Sequence, residues 1–362
     1  MPVGGRYLGL VAVAVAAVAC TQAPSDDTVT STAGVETTMT TASITASSSP
    51  TTTPGLAPTT IPPDHLAIEA FPVPPGSRPH DVAPAHGCGV WYTAQNLGEL
   101  GWLNPDTGET VHISLGSGSR PHGVIVDESG TAWITDSGLN AIVSVDPTTH
   151  EVTVYPLPDD RSDSNLNTAA FDDDGILWFT GQAGVYGSLD PATGSMKVYD
   201  APNGRGPYGI TATPSGVVYF ASLAGSYVGE IGADGLALVI QPPTAGQGAR
   251  RVWSDSLGNV WVSEWNTGNL SRYTPGTGIW GTWPLPGDHP ATYAVYVDED
   301  DVVWASDFGS NSIVRFDPGT EEFTVLTLPH QSGEVRQLHG RPGEVWGAES
   351  AADHLVLIRT TP

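Results

Sequence analysis

The sequence predicts an all-β protein, a seven-bladed β-propeller built of four-stranded antiparallel blades. Three observations predict it. The 362-residue chain carries 43 Gly and 31 Pro against 14% charged residues and shows no long helical period, the makeup of turn-rich β architecture. An aromatic residue followed by small or polar residues recurs at Trp91, Trp133, Trp178, Tyr219, Trp261, Trp304 and Trp346. The spacings of 42, 45, 41, 42, 43 and 42 residues fit one propeller blade and are too long for a leucine-rich or hexapeptide solenoid.

The N-terminal end precedes the repeats and reads differently. One cation, Arg6, stands before an apolar run from Leu8 to Ala19 that is too short for a stable bilayer anchor, so residues 1–19 read as a signal peptide. The run ends Ala17-Val18-Ala19-Cys20, which suits ordinary signal peptidase and also resembles the lipobox of bacterial lipoproteins. The expectation is an exported cell-envelope lipoprotein with a diacylglycerol on Cys20; free secretion is the alternative. Residues 20–63 are dominated by Thr, Ser, Ala and Pro, bury too little apolar surface to fold, and read as a disordered stalk. The propeller is assigned to 64–362. Only Cys88 accompanies Cys20, so no intrachain disulfide framework is implied, and Cys88, in His86-Gly87-Cys88-Gly89, reads as a small buried or turn residue.

Each repeat contains four short strands. In the second they are Gly123-Val124-Ile125-Val126, Ala132-Trp133-Ile134-Thr135, Ala141-Ile142-Val143-Ser144-Val145 and Val152-Thr153-Val154-Tyr155, separated by Asp, Gly and Pro turn chemistry. Blade ends such as Tyr155-Pro156-Leu157-Pro158 place proline where an outer edge strand tolerates it. The blades are expected near 78–115, 119–158, 164–202, 206–243, 248–286, 289–329 and 333–359. After Leu355-Val356-Leu357-Ile358-Arg359 only three residues remain, so the seventh blade lacks a strand. Leu66 to Pro74 has the form of an outer strand and is expected to complete it, closing the ring and removing its exposed edge.

If the first two strands of a blade are the inner ones, residues equidistant from their hairpin meet at one end of the channel. A fourteen-residue offset then pairs His80 with Ala94, His122 with Asp136, Asn167 with Gly181, Tyr208 with Ser222, Arg250 with Glu264, Tyr293 with Asp307 and Val335 with Glu349. This ring concentrates titratable groups around a concavity, the usual mark of a site. Asp136, Glu264, Asp307 and Glu349 are candidate ligands for a divalent cation, Mg²⁺ or Ca²⁺, and Asn167, Tyr208, Arg250 and Tyr293 are candidate substrate contacts. Trp265 is read as either a ligand wall or packing between blades, and the repeated Trp residues as core. With 13 basic and 39 acidic residues the net charge is −26, which excludes nucleic acid as a partner and predicts an acidic mouth that gathers cations. The expected partner is a small molecule or cyclic peptide bound by a monomer, with membrane contact only through a lipid anchor at Cys20.

Arg78-Pro79-His80, Arg120-Pro121-His122-Gly123-Val124, Trp178-Phe179-Thr180 and Trp261-Val262-Ser263-Glu264-Trp265 resemble repeats of the streptogramin lyase family. The resemblance spans residues 64–362. It implies an elimination that opens a cyclic depsipeptide, assisted by a divalent ion and a histidine base. In that family histidines start the inner strands of two adjacent blades, a Glu stands two residues before the second, and another ends that blade's second strand. The matching positions are His80, His122, Arg120 and Asp136, so His80, His122 and Arg120 are the candidate catalytic residues. Arg120 departs from the family's Glu and cannot ligate a cation. Glu349, one blade away around the ring, is a substitute carboxylate. Two other readings stand beside this one: a metal-dependent lactonase or esterase of the gluconolactonase-like type, using Asn167, Glu264, Asp307 or Glu349, and a non-enzymatic ligand-binding or scaffold propeller at the cell surface.

Overall fold

The computed structural model describes residues 60–361. The leader, Cys20 and all but the last four residues of the expected stalk lie outside them. Among the described residues, 28 strands form seven four-stranded antiparallel sheets. Their innermost strands are Pro79–Pro84, Pro121–Val126, Leu166–Phe171, Pro207–Ala212, Ala249–Ser254, Thr292–Val297 and Val335–Arg341. Blade two is representative: Pro121–Val126, Ala132–Asp136 and Ala141–Val145 are largely buried, whereas Val152–Pro156 alternates toward solvent as an outer edge strand does.

The ring closes as expected. Ile68–Pro72 pairs antiparallel with His354–Arg359, Ile68 opposite Ile358 and Pro72 opposite His354. The Ile61 amide donates to the Thr360 carbonyl at 2.7 Å, so the end of the expected stalk already lies against the last strand.

The core sits between neighbouring blades. Trp91, Leu100, Ile113 and Leu115 of blade one interlock with Val124, Ile134 and Val143 of blade two. At the closing seam Trp346, Leu355 and Leu357 meet Val82, Val90 and Tyr92. The repeated Trp residues are core, and in four blades a turn aspartate six residues earlier takes the indole N–H: Asp127 from Trp133 at 2.8 Å, Asp172 from Trp178 at 2.7 Å, Asp255 from Trp261 at 3.1 Å and Asp298 from Trp304 at 2.7 Å. The same carboxylate caps its turn, as Asp127 does for the Ser129 and Thr131 amides.

Every innermost strand carries a β-bulge near its start. In blade one Pro79 pairs with Ala94 and Val82 with Tyr92, so His80 and Asp81 together oppose Thr93. The equivalents are Asn167-Thr168, Tyr208-Gly209, Arg250-Arg251, Tyr293-Ala294 and Arg336-Gln337, and in blade two His122, which lies between the paired residues Pro121 and Gly123. A second-strand hydroxyl holds the bulge. Thr93 Oγ1 accepts from the Asp81 amide and donates to the His122 carbonyl; Thr135 does the same between Gly123 and Asn167, and Ser263 between Arg251 and Tyr293. A Cβ at Gly123 would come within 2.7 Å of the Asn167 carbonyl, so this close passage of blades two and three requires glycine.

Candidate functional site

The bulges turn two residues of most blades toward the axis at the end where the innermost strands begin. His80, His122, Asn167, Tyr208, Arg250, Tyr293 and Arg336 form an upper ring. Asp81, Thr168, Arg251 and Gln337 lie one residue further in. Beneath them is a cavity of about 240 Å³ bounded by all seven innermost strands, with Asp81 and Arg251 in its lining.

Arg251 organises the floor. Its guanidinium reaches across the channel to both oxygens of Asp81, at 2.8 and 3.2 Å, and to Thr168 Oγ1 at 2.6 Å. Both charged side chains are almost wholly buried. The Arg251 donor obliges the Thr168 hydroxyl to donate onward, to Asn167 Oδ1 at 2.9 Å, which turns the Asn167 amide N–H toward His122 Nε2 at 3.1 Å. His122 therefore keeps its proton on Nδ1, a buried atom with no partner. His80 donates from Nδ1 to Asp81 Oδ1 at 2.8 Å, leaving its Nε2 lone pair as a base. The two imidazole rings lie 3.8 Å apart.

Both histidines are held neutral. Burial, followed by the fields of Arg251, Arg336, Arg250 and Arg78, lowers the pKa of His80 well below 6.5. The contact with Asp81 would favour an imidazolium, but that carboxylate is already matched by Arg251. Burial, and then neighbouring His80, lowers His122 as well. The hydroxyls of Tyr208 and Tyr293 lie 2.5 Å apart, with Arg250 Nη2 3.2 Å from Tyr208 Oη and Arg336 Nη1 3.5 Å from Tyr293 Oη. Burial alone would raise the pKa of Tyr208, but Arg250 and Arg251 outweigh it and hold the phenol below its ordinary value.

His80, His122, Asn167, Tyr208, Arg250 and Tyr293, all singled out from the sequence, come together. The four carboxylates do not. They end second strands beyond the bulge, and each is taken up by its own loop. Asp136 accepts from Ser119 Oγ and from the amides of Arg120, Gly138 and Leu139. Asp307 accepts from the Ala291 and Gly309 amides and Ser310 Oγ, Glu264 from Thr267, Asn269 and Ser271, and Glu349 from His330 Nδ1 at 2.7 Å. The expected cluster of Asp136 with the histidines fails because the bulge slips the register by one: Asp136 opposes Pro121 rather than His122. Arg120 is exposed, and among the described residues its guanidinium has no hydrogen-bond or ion-pair partner. In blade seven the hairpin is one residue shorter, so Arg336 rather than Val335 takes the ring position. The sequence reading missed Asp81, Thr168, Arg251, Arg336 and Gln337. Their signal is two polar residues in succession inside an inner strand, a break in alternation that a bulge explains.

These donors do not suit the expected Mg²⁺ or Ca²⁺. Among the described residues, the group of three whose ligand atoms converge is His80, Asp81 and His122. Asp81 is already bonded to Arg251, and a hard cation with several oxygen ligands would face imidazoles in the field of four arginines. The charges turned toward the channel axis are mostly arginines, whereas Asp136, Glu264, Asp307 and Glu349, at the same end of the blades, are held by their own loops.

The sequence profile of the virginiamycin B lyase family matches residues 63–307 and, overlapping, 116–361. The chain belongs to the virginiamycin B lyase family. Among solved structures, it resembles a streptogramin B lyase with a TM-score of 0.74 at 22% identity, over 81% of this chain and 97% of that one. A catalytically inactive virginiamycin B lyase from Staphylococcus aureus with quinupristin superposes with a TM-score of 0.75 at 19% identity, over 82% and 99%. YCF48 bound to D1 peptide gives 0.64 at 13% identity, over 82% and 97%. At these identities the likeness concerns the fold. Among curated proteins none matches this chain.

Proposed function

We propose that this member of the virginiamycin B lyase family opens cyclic esters of the depsipeptide type by elimination, with His80 as base. The observation that carries the reading is the buried His80-Asp81-Arg251 relay. Asp81 fixes the imidazole tautomer, Arg251 fixes Asp81, and burial with nearby arginines keeps the ring neutral. His80 Nε2 takes the proton from the carbon beside the ester-bearing carbon. The released pair forms the carbon–carbon double bond, the carbon–oxygen bond breaks, and the ring oxygen departs as a carboxylate. His122 Nδ1–H, unmatched in the protein, is the donor left for a substrate oxygen. The proton returns from His80 to water, and no water attacks.

The test is ring opening of a streptogramin-type cyclic depsipeptide in ¹⁸O-labelled water, followed by mass spectrometry. The expected product has the substrate's mass and no label, with a loss of roughly 10²–10⁴-fold in His80→Ala. Incorporated label points to hydrolysis; absence of turnover across several cyclic esters ends the lyase reading. A second reading, a non-enzymatic binding propeller, is favoured by the Tyr208–Tyr293 bridge across the mouth and predicts ligand binding without turnover. The cell-envelope location belongs to the same proposal and requires lipid labelling on the wild type that Cys20→Ser abolishes.

A further inference from the structure

We propose that Arg250, walled by aromatic rings and backed by Arg336, is a binding subsite for a monovalent carboxylate attached to an apolar group. Arg250 Cζ lies 3.5 Å from the Tyr293 ring centroid and 4.7 Å from those of Tyr208 and Trp265. The rings strip water from the cation without neutralising it. Its one hydrogen-bonding partner among the described residues is the Tyr208 hydroxyl, and Nε is buried with none. A half-buried guanidinium so placed has donors to spare for a planar, two-oxygen acceptor.

Arg250 differs from the two cations beside it in having no carboxylate partner. Arg251 is matched by Asp81, and Arg336 by Glu334. Arg250 has no carboxylate within ion-pair distance among the described residues, so its own charge is left for a guest. Arg336 adds capacity, since its Nε is also buried without a partner and its Nη1 makes only a long contact to Tyr293. The two phenols share one hydrogen between them, which leaves the other hydroxyl hydrogen beside the same cations. A single unpaired guanidinium with free planar donors matches the two oxygens of one carboxylate. The aromatic wall selects one joined to an aryl or alkyl group, while the net charge of −26 turns away polyanions.

The subsite rests on the elimination reading only for the origin of its guest, the carboxylate released as the ring opens. Binding of benzoate and of its neutral isostere benzamide would be measured by calorimetry at low salt, on the wild type, Arg250→Gln, Arg250→Lys and Lys197→Gln, the last removing an exposed cation from an outer strand. The expected result is at least a tenfold preference for benzoate in the wild type and in Lys197→Gln. That preference should be lost in Arg250→Gln and partly kept in Arg250→Lys, with unchanged melting temperatures marking intact folds. Equal affinity for the two probes in the wild type, or a preference that survives Arg250→Gln, overturns the subsite. The two proposals fail separately: turnover of a cyclic ester without benzoate preference removes the subsite alone, and benzoate preference without turnover leaves the subsite and removes the lyase reading.

Discussion

Replacing Arg251 by Met retains a long apolar stem but takes away the charge that spans the channel. Asp81, 1% exposed, then keeps a buried negative charge whose remaining partner is neutral His80, and Thr168 loses its donor. Removing one member of a buried pair costs about 3–5 kcal/mol. For a domain of this size that corresponds to a fall in Tm on the order of 10 °C. The substitution has a second effect, because Arg251 is the largest influence on His80 after burial, and the His80 pKa must rise when it goes. In the double variant Asp81→Asn with Arg251→Met both charges vanish together, and its cost should fall short of the sum of the single costs by at least about 1 kcal/mol. Urea unfolding at neutral pH measures the energies, and imidazole nitrogen shifts by NMR follow His80. A cost under about 1 kcal/mol for Arg251→Met, or strict additivity in the double variant, would refute the view that this pair organises the mouth.

Trp133→Phe breaks the indole bond to Asp127 and should cost about 1–2 kcal/mol more than Trp91→Phe, because Trp91 Nε1 is buried with no partner; urea midpoints decide it. Deleting residues 65–74 removes the closing strand and bares the edge His354–Arg359, so Tm should drop sharply; an unchanged Tm contradicts closure by that strand. Half-buried His339, which packs against Trp253 and Tyr296, has its pKa lowered to about 4 by its loss of solvent, below the ordinary 6.5. The unfolded chain binds a proton that the folded site refuses, so this contribution is complete above about pH 6.5 and shrinks as pH falls toward 4. At pH 5 its share of the loss is roughly 2 kcal/mol, and His339→Gln should narrow the difference in urea midpoint between pH 7.5 and pH 5 by that share, the part due to His80 and His122 remaining.

The blade count, the strand order and the closure were legible because each follows from periodicity that the chain repeats seven times, Trp91 through Trp346. Errors of one residue do not accumulate in such a count. The mouth is a different matter, since there one residue reverses which way a side chain faces. Pairing outward from the hairpin about Ser129 is correct as far as Gly123 opposite Thr135, and slips where His122 is inserted. Residues that begin inner strands are therefore legible, whereas the facing of the second-strand carboxylates and the inward turn of Asp81 and Arg251 depend on the bulge, which the hairpin symmetry does not contain. Thr93, Thr135 and Ser263, the hydroxyls two positions after the repeated aromatic, mark the bulge in the sequence once their bond to the next blade is known. Net charge is a poor guide to the mouth because a sum over the chain carries no information about where Arg78, Arg250, Arg251 and Arg336 converge.

The closing strand also fixes the order in which the molecule is completed. Ile68 finds its partner only when Ile358 exists, 290 positions later, whereas the other blades are formed by hairpins within about forty residues. A chain synthesised from its N-terminus carries Ile68–Pro72 unpaired through the assembly of six blades, and the last event is the slow one that joins distant ends. Any product cut short before His354 leaves this strand and the seventh blade both open to other chains, so translation errors near the C-terminus should yield aggregation-prone protein even with six blades intact.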